Sequence, residues 1–495
     1  MTAKTKILAA TSNPRMKFWL WTVGAFLIAF AAATINPIGY LGSGADDEQY
    51  LAAARCWVAH GMPCIPQSHW WMRWPVFALI AALTSTLGES RLTVSIAPGL
   101  YWAASLVLIW LIGRVWFGWR AAAISTVMFG TIPIVALIAF DPNVDLPELV
   151  FQLLSIAFVY SAIRGKSGVL AFVGGLCAGI AMQARDTSAI FVFVAIVPWV
   201  IRSLGRREIL LWALFGLAAV VAMDLILYWA NTNDPFLHYR LAFGHARVPS
   251  FELPSGFHSR RGPLFNPDYI RSWKRDAGIT FWWPIDPWLN LICSPRSTMI
   301  LTVGVVAWGL FKNDLSSDHR RSARIMLGFV FTVSFLLIYG LAIDPKPRMF
   351  MLLWAGLALV IGALLEAGLR SSKWPFALAL LLVAPASGLI VAINYPTSIP
   401  AEIRARRWIV NHGNSIELDK SAASYLTLLP EARRLPIRGA GRRFVMMTSQ
   451  QPCSEMIEQH RGHPSGRVID QVSGSKGGGN YLCLFEYLPV SASRR

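Results

Sequence analysis

The sequence predicts an α-helical polytopic membrane protein that carries a small α/β domain at its C-terminal end. Hydrophobic residues make up 55% of the 495 residues and charged residues only 15%, which leaves too little polar surface for a water-soluble protein. The apolar residues form runs of membrane-spanning length. The net charge of +18 is concentrated in short hinges between these runs, where the positive-inside rule expects it, so we exclude nucleic acid as a partner.

About eleven runs approach the roughly 20 apolar residues that cross a bilayer. They are predicted at Phe18 to Ile35, Val94 to Gly113, Ala121 to Phe140, Leu146 to Ile163, Val169 to Ala184, Ser188 to Ile201, Ile209 to Trp229, Thr298 to Phe311, Ile325 to Ile343, Phe350 to Leu369 and Trp374 to Asn394. If the N-terminus is cytoplasmic, every short inner hinge is basic. An odd number of spans then exports the C-terminal tail.

These runs predict two domains. Residues 1–394 form the membrane domain, with a first outer loop at about 36–93 and a long outer loop at about 231–295. In the first loop, the stretch Val76 to Leu87 is too short to cross comfortably and predicts a re-entrant or interfacial helix on the outer face. Residues 395–495 form an extracytoplasmic domain, in which Arg443 to Met447 and Tyr481 to Leu488 have a β-like pattern.

Four cysteines fall on the predicted outer face. Cys56 and Cys64 lie in the first outer loop, and Cys453 and Cys483 lie in the exported tail. An oxidising compartment would allow one disulfide within each pair, and the sequence leaves this open against four free thiols. The sequence has no zinc-type spacing of Cys and His, and whether a metal binds is left open.

Carboxylates directly outside the predicted spans are the best candidates for chemistry. Asp46 and Asp47 begin a helical pattern that continues to His60, and Tyr50 shares a face with Asp46 because the two are four residues apart. A carboxylate at a helix start is well placed as a general base. A helix cap with solvated acids is the alternative interpretation.

A second acidic site precedes the span that begins at Leu146. Asp145 lies at the outer mouth of this span, within the stretch Asp141 to Asp145. It could orient an acceptor, tune Asp46 through like-charge proximity or hold a cation. Capping of the span by Asp145 is the alternative.

Cations on the same face suit a lipid phosphate, which arginine can hold with two hydrogen bonds. The candidates are Arg185, Lys346 and Arg348 between spans, and Arg260 and Arg261 in the long loop. The alternatives are a local pair between Arg185 and Asp186, and an Arg348 that only extends towards the interface.

The layout resembles the GT-C class of membrane glycosyltransferases, in the branch related to protein O-mannosyltransferases and the lipid A aminoarabinose transferase. The resemblance covers roughly the first 370 residues and is strongest over the first 200. The matching motifs are Asp46-Asp47-Glu48-Gln49-Tyr50 with Ala53, Pro75 through Gly88, Arg91, Asp145 with Leu149 and Phe151, Gly174 through Gly179 ending in Arg185-Asp186-Thr187, and Pro347-Arg348-Met349. Asp47 stands where relatives often have Glu, and Met349 where they often have Tyr.

The resemblance implies transfer of a sugar from a polyprenyl-phosphate donor on the outer face of a bacterial inner membrane. It makes Asp46 the catalytic carboxylate, with Asp47 beside it and Asp145 as the second-loop acid. Residue chemistry adds an inverting mechanism in which Asp46 deprotonates a lipid, glycan or protein hydroxyl. Tyr50 and the five cations named above would bind donor phosphate or substrate. No cofactor is required, and a divalent metal is left open.

Two other functions are alternatives to sugar transfer. A transporter or lipid flippase would place ionisable groups within spans and often shows repeated halves, whereas Asp224 is the main acid inside a run and no repeat is visible. An assembly protein that binds through the exported tail is the third alternative.

Overall fold

The structure is a computed structural model. It describes residues 14–38, 46–61, 69–201, 207–244, 281–282, 284–341, 343, 345–394, 399–437, 444–449, 453, 466–473 and 481–487. The predicted phosphate-binding residues Arg260 and Arg261 lie outside these ranges.

Helices account for most of the described chain. In the first half they are Pro14–Ile35, Asp46–His60, Trp74–Leu87, Arg91–Phe117, Trp119–Gly130, Pro133–Leu137, Asp145–Gly165, Gly168–Ala184, Ser188–Ile201, Arg207–Thr232 and Leu237–Gly244. In the second half they are Asp286–Cys293, Thr298–Phe311, Ser317–Phe335, Met351–Arg370, Trp374–Asn394, Ile399–His412 and Lys420–Tyr425. Short 3-10 turns occur at His69–Met72 and Pro347–Phe350.

Seven helical segments are long and apolar enough to cross a membrane, counted over the described residues. They are Pro14–Ile35, Arg91–Phe117, Asp145–Gly165, Arg207–Thr232, Ser317–Gly340, Pro347–Arg370 and Trp374–Asn394. The remaining predicted spans correspond to shorter helices, at Gly168–Ala184, Ser188–Ile201 and Thr298–Phe311, and to one interrupted segment. The predicted class, a helical polytopic membrane protein with a small C-terminal sheet, is confirmed.

The predicted span from Ala121 to Phe140 is not one helix. The helix Trp119–Gly130 ends before Pro133, which has no backbone N–H and starts the short helix Pro133–Leu137 instead. The hydroxyl of Thr131 donates to the carbonyl of Val127 at 2.7 Å, so the interruption is satisfied inside the protein rather than exposed to lipid. The acidic stretch that begins at Asp141 follows this short helix, and Asp141 itself is buried.

The segment Pro347–Arg370 forms the centre of the bundle. Within it 89% of the membrane-length window is buried, against 22% for Arg207–Thr232. Trp354 is fully buried, and its indole N–H donates to the carbonyl of Pro347 at 2.7 Å. Large apolar side chains such as Leu211 on the peripheral helix are exposed, as lipid contact requires. The central segment therefore holds Arg348, near its N-terminal end, in a rigid place.

Glycines let the helices Gly168–Ala184 and Arg207–Thr232 touch. A Cβ atom built at Gly175 would lie 1.8 Å from the carbonyl oxygen of Ala213. One built at Gly216 would lie 2.1 Å from the carbonyl oxygen of Phe172. Small residues at both places allow the close backbone approach on which helix packing in membranes depends.

We therefore expect Gly175→Ala to destabilise the bundle by about 1–3 kcal/mol, because the backbone of the facing helix must move to admit a methyl group. The thermal midpoint of the detergent-solubilised protein measures this loss. Gly309→Ala is the matched control, since nothing lies within 4 Å of a Cβ atom there. Equal midpoints for the two variants would contradict the packing argument.

The C-terminal region folds around a four-stranded sheet of order β1-β2-β4-β3. The strands are β1 (Ile416–Leu418), β2 (Phe444–Ser449), β3 (Gly466–Ser473) and β4 (Tyr481–Tyr487). β1 pairs with β2 in parallel, and β4 pairs with β2 and β3 in antiparallel fashion. Trp408, Tyr425 and Leu484 are buried in its core.

The structure joins Cys453 to Cys483 in a disulfide with a Cα–Cα distance of 5.9 Å, which decides one of the two pairs that the sequence left open. Cys56 is also disulfide-bonded, and its predicted partner Cys64 lies outside the described residues. The two remaining cysteines, Cys177 and Cys293, are free thiols.

Candidate active site

The helix Asp46–His60, called the acidic helix below, begins with three adjacent acids whose exposure differs. The Asp46 side chain is 38% exposed, whereas Asp47 is only 2% exposed. The carboxylate of Asp47 accepts the backbone N–H of Glu48 at 2.9 Å. Both acids are favoured by the helix dipole, but of these two Asp46 is the one that a substrate can reach.

Arg348 faces Asp46. The distance from its Nη2 to the Oδ2 atom of Asp46 is 3.5 Å, and its side chain is 35% exposed. Arg348 lies in the 3-10 turn Pro347–Phe350, which leads directly into the central helix. Lys346 precedes this turn, and its carbonyl accepts the N–H of Met349 at 2.9 Å. The structure thus brings the first-loop acid and a predicted phosphate-binding cation together.

Asn143 organises the second acidic stretch. Its amide oxygen accepts the backbone N–H groups of Asp145 and Leu146 at 3.0 and 3.1 Å, and its amide nitrogen donates to the carbonyl of Asp141 at 2.5 Å. Asn143 therefore binds the first N–H groups of the helix Asp145–Gly165, the task that the alternative interpretation gave to Asp145. The carboxylate of Asp145 points elsewhere.

Asp145 pairs with Arg185. The Nη2 of Arg185 lies 2.6 Å from Oδ1 of Asp145, and its Nη1 lies 3.0 Å from Oε2 of Glu148. The hydroxyl of Ser188 donates to Glu148 at 2.6 Å. Arg185 is 9% exposed and Asp145 is 1% exposed, so this is a buried clamp between two helix ends. Arg185 contacts these two acids, and its neighbour Asp186 pairs with His238. Both residues thus have other partners than the local Arg185–Asp186 pair of the alternative interpretation.

Tyr50 lies beneath the surface next to Arg73. Tyr50 is fully buried, and its hydroxyl accepts a hydrogen bond from Nη1 of Arg73 at 2.9 Å. Burial raises the pKa of Tyr50 to about 12, although the charge of Arg73 acts in the opposite direction. Tyr50 is therefore a buried, protonated phenol that links the acidic helix to Arg73 before Pro75.

Asp141 is a third carboxyl group near Asp46 and Asp47. It is 7% exposed, and among the described residues its Oδ1 atom has no hydrogen-bond partner. Burial, followed by the negative charge of Asp47, raises the pKa of Asp141 well above its usual range, with Arg348 opposing. A raised pKa of Asp141 lessens the repulsion that its negative charge would otherwise exert on the exposed Asp46.

Sequence reasoning missed three members of this cluster. Glu148 lies one turn after Asp145 on the same helix face, which is a signal that could have revealed it. Arg73 is a single cation in a Trp-rich stretch directly before Pro75. His238 is one of many basic residues in the segment that follows Asn231, and its two carboxylate partners are distant in sequence.

The C-terminal region covers the acidic helix. Arg55 of this helix forms an ion pair with Glu89 at 2.8 Å and donates to the hydroxyl of Thr427 at 2.8 Å. Arg433 approaches the same Glu89 at 2.6 Å. Leu428 packs into the apolar cluster that contains Tyr50. The predicted domain at residues 395–495 is thus in contact with the helix that carries Asp46.

Glu89 links the two regions, and we expect Glu89→Gln to loosen them. A hydrogen bond from Arg55, which outweighs the effect of burial, lowers the pKa of Glu89. The stabilisation is therefore present above the ordinary pKa of a glutamate and is lost as the pH falls through the lowered value. Amide hydrogen exchange over residues 420–435 should rise about 2- to 10-fold in the variant, since partly exposed pairs contribute modestly. Glu208→Gln, on a distant exposed helix start, is the control, and unchanged exchange in Glu89→Gln would contradict the linkage.

Over the residues that the structure describes, no group of three or more His, Cys, Asp or Glu side chains is arranged to hold a metal ion. The acidic and basic groups here instead neutralise one another through direct pairs.

The described residues form a helical bundle with paired acids and arginines at one mouth, and comparisons with known proteins show what this arrangement is similar to. Residues 72–229 match the family model of dolichyl-phosphate-mannose-protein mannosyltransferases. No curated protein sequence matches the chain.

Solved structures extend this likeness. ArnT from Cupriavidus metallidurans bound to undecaprenyl phosphate is 13% identical, with a TM-score of 0.56 and coverage of 96% of this chain and 98% of that chain. Its apo state is 12% identical, with a TM-score of 0.55 and coverage of 98% of each chain. The Archaeoglobus fulgidus oligosaccharyltransferase in the apo form is 13% identical, with a TM-score of 0.50 and coverage of 76% of this chain and 55% of that chain. The predicted GT-C fold is confirmed by the likeness to solved structures over nearly the whole chain, and residues 72–229 are similar to the mannosyltransferase family model.

Proposed function

We propose that this protein transfers a sugar from a polyprenyl-phosphate-linked donor to an acceptor hydroxyl at the outer face of a bacterial inner membrane. The observation that carries the proposal is an exposed carboxylate and a cation at one site: Asp46 is 38% exposed and lies 3.5 Å from Arg348. The undecaprenyl phosphate of the ArnT structure and the dolichyl-phosphate-mannose family model support a lipid-phosphate donor.

Asp46 is the general base in this proposal. Its carboxylate takes the proton of the acceptor hydroxyl as that oxygen forms a bond to the anomeric carbon. The bond from the anomeric carbon to the phosphate oxygen breaks at the same time, and its electron pair leaves with the polyprenyl phosphate. Attack opposite to the leaving group inverts the anomeric configuration. Asp46 suits this role because it is accessible, whereas Asp47 is buried.

Arg348 stabilises the leaving group. The lipid phosphate gains a negative charge as the sugar departs, and a fixed guanidinium near the reacting atoms lowers the energy of that charge. Trp354 holds the turn that carries Arg348 by donating to the carbonyl of Pro347 at 2.7 Å. Lys346, Arg260 and Arg261 are proposed as further phosphate contacts on the same outer face.

The remaining predicted residues act by positioning. Asp145 is 1% exposed and holds Arg185 at 2.6 Å, so it supports the site through that cation rather than by touching the acceptor. Asp47 and Tyr50 are buried on the acidic helix and fix its start, where Asp46 lies. We propose that the domain at residues 395–495 holds this helix on the outer face and helps to bind the acceptor.

The transporter alternative is weaker in the folded protein. It depended on Asp224 as an ionisable group within a span. Asp224 is 1% exposed, and its Oδ2 atom lies 2.9 Å from Nδ1 of His238. An acid that is buried and paired in this way supports structure rather than a substrate path.

Membranes that contain the protein, supplied with a radiolabelled pool of polyprenyl-phosphate sugars, test the proposed donor class. We expect label to move from the organic-soluble donor into a lipid, glycan or protein fraction, and no transfer from sugar nucleotides when synthesis of the lipid-linked donor is blocked. EDTA in a parallel sample decides the metal question. Transfer from a sugar nucleotide under that block would overturn the donor assignment.

A further inference from the structure

His238 bridges two carboxylates at the edge of the candidate active site. Its Nδ1 atom lies 2.9 Å from Oδ2 of Asp224, and its Nε2 atom lies 3.3 Å from Oδ1 of Asp186. The imidazole is only 2% exposed. It lies in the helix Leu237–Gly244, and it joins a membrane helix to the turn between two others.

The geometry favours a charged imidazole. A neutral imidazole has a single N–H, whereas an ionised carboxylate only accepts hydrogen bonds. When both carboxylates are ionised, two such partners on opposite ring nitrogens are satisfied together only by the imidazolium form. Tyr239 stacks on the ring at a centroid distance of 5.2 Å, and the ring of Tyr228 lies edge-on at 5.9 Å, so the bridge is shielded from water.

The bridge acts on the site through one turn of chain. Asp186 directly follows Arg185, and the N–H of Ser188 donates to the carbonyl of Arg185 at 2.9 Å. The N–H of Ala189 donates to the carbonyl of Asp186 at 3.1 Å. Holding Asp186 therefore holds the backbone from which Arg185 reaches Asp145.

We propose that His238, as an imidazolium that bridges Asp186 and Asp224, is a positioning residue for sugar transfer that fixes the turn carrying Arg185. This inference rests on the proposed function. The bridge also ties the first helix of the long outer loop to the site, since Leu237–Gly244 is the first helix after Asn231. Deprotonation of His238 would release one of the two contacts and loosen the turn.

Several groups face His238 from the elements packed around it. On the membrane helix they are Asp224 and Tyr228, on the turn Asp186, and on its own helix Tyr239. The 3-10 turn His69–Met72 packs against the helix that carries His238, and the charge of the nearby Arg73 acts on Asp186. Burial alone lowers the pKa of His238, but the hydrogen bonds to Asp186 and Asp224 and their charges raise it to about 9. The contribution of this proton to stability is therefore fully present below the ordinary histidine pKa and is lost as the pH rises through about 9.

The test compares the wild type with His238→Gln and Asp224→Asn across pH 6 to 10.5, in two measurements. The first is the rate of sugar transfer in vesicles. We expect the wild-type rate to fall with a one-proton midpoint near 9, the rate of His238→Gln to be about 10-fold lower and flat in this range, and the midpoint of Asp224→Asn to move to lower pH. His319→Gln, a histidine at the opposite end of the bundle, is the control that should keep the wild-type profile.

The second measurement is the thermal midpoint of the whole purified protein, which needs no donor. The wild type should lose stability between about pH 6.5 and about pH 9 relative to His238→Gln, because over this range the unfolded chain has released the proton that the folded protein still holds. A wild type inactive with every donor, yet with this pH-dependent stability, would overturn the proposed function and retain the bridge. An alkaline midpoint that is the same in the wild type and in Asp224→Asn would overturn the positioning role, even if His238→Gln fails to fold.

Discussion

Asp46→Asn is expected to reduce the rate of sugar transfer by about 10²- to 10⁴-fold, the usual contribution of a general base. The amide has nearly the shape of the carboxylate but cannot accept the proton of the acceptor hydroxyl. The Asp46 side chain is 38% exposed and pairs with a half-exposed Arg348, so its loss should affect stability little. Initial rates with saturating donor, at matched expression, measure the effect.

Asp318→Asn is the matched control for this prediction. Asp318 also lies in the first turn of a helix, Ser317–Phe335, but near the other end of the bundle. It should leave the rate and the thermal midpoint unchanged. A rate for Asp46→Asn within 3-fold of the Asp318→Asn rate would show that Asp46 is not the base.

Arg185→Gln is expected to destabilise the protein by about 3–5 kcal/mol, because it leaves buried carboxylates without their cation. Arg185 lies 2.6 Å from Asp145 and 3.0 Å from Glu148. The substitution therefore removes the positive charge with which both carboxylates pair. The thermal midpoint should fall strongly and activity should fall with it. The measurement is the midpoint in detergent, read with a thiol-independent probe such as Trp fluorescence.

Removing the acids as well should recover part of this loss. In the triple variant Arg185→Gln, Asp145→Asn and Glu148→Gln, no charge is left unpaired, so the thermal midpoint should lie above that of Arg185→Gln alone. A triple variant less stable than the single one would contradict the clamp. It would show that these residues contribute separately.

The fold could be predicted in large part because membrane-length apolar runs and basic hinges are local signals. The runs placed helices at Leu146 to Ile163 and Phe350 to Leu369, close to the observed Asp145–Gly165 and Met351–Arg370. The prediction of one span from Ala121 to Phe140 was wrong, because hydropathy alone does not show that the helix is interrupted before Pro133. The strands β2 and β4 also overlap the two β-like runs predicted in the tail.

The residues of the candidate site could be selected one at a time from the sequence, but the contacts between them could not be predicted. Asp46 and Arg348 were both selected from their places outside apolar runs, yet their 3.5 Å contact depends on how two distant helices meet. The pairs of Arg185 with Asp145 and of Arg73 with Tyr50 depend on tertiary packing in the same way. Burial separates Asp47 from Asp46, although the two are adjacent and identical in sequence terms.

A single-turnover experiment with a doubly labelled donor tests the central claim most directly. The purified protein in vesicles receives a polyprenyl-phosphate sugar labelled differently in the sugar and in the phosphate, together with a membrane extract as the source of acceptor. The account predicts that the sugar label moves to the acceptor while the phosphate label stays on the polyprenyl lipid, and that Asp46→Asn blocks this separation. If both labels remain together and the intact donor only crosses the bilayer, the protein is a flippase and the account is contradicted.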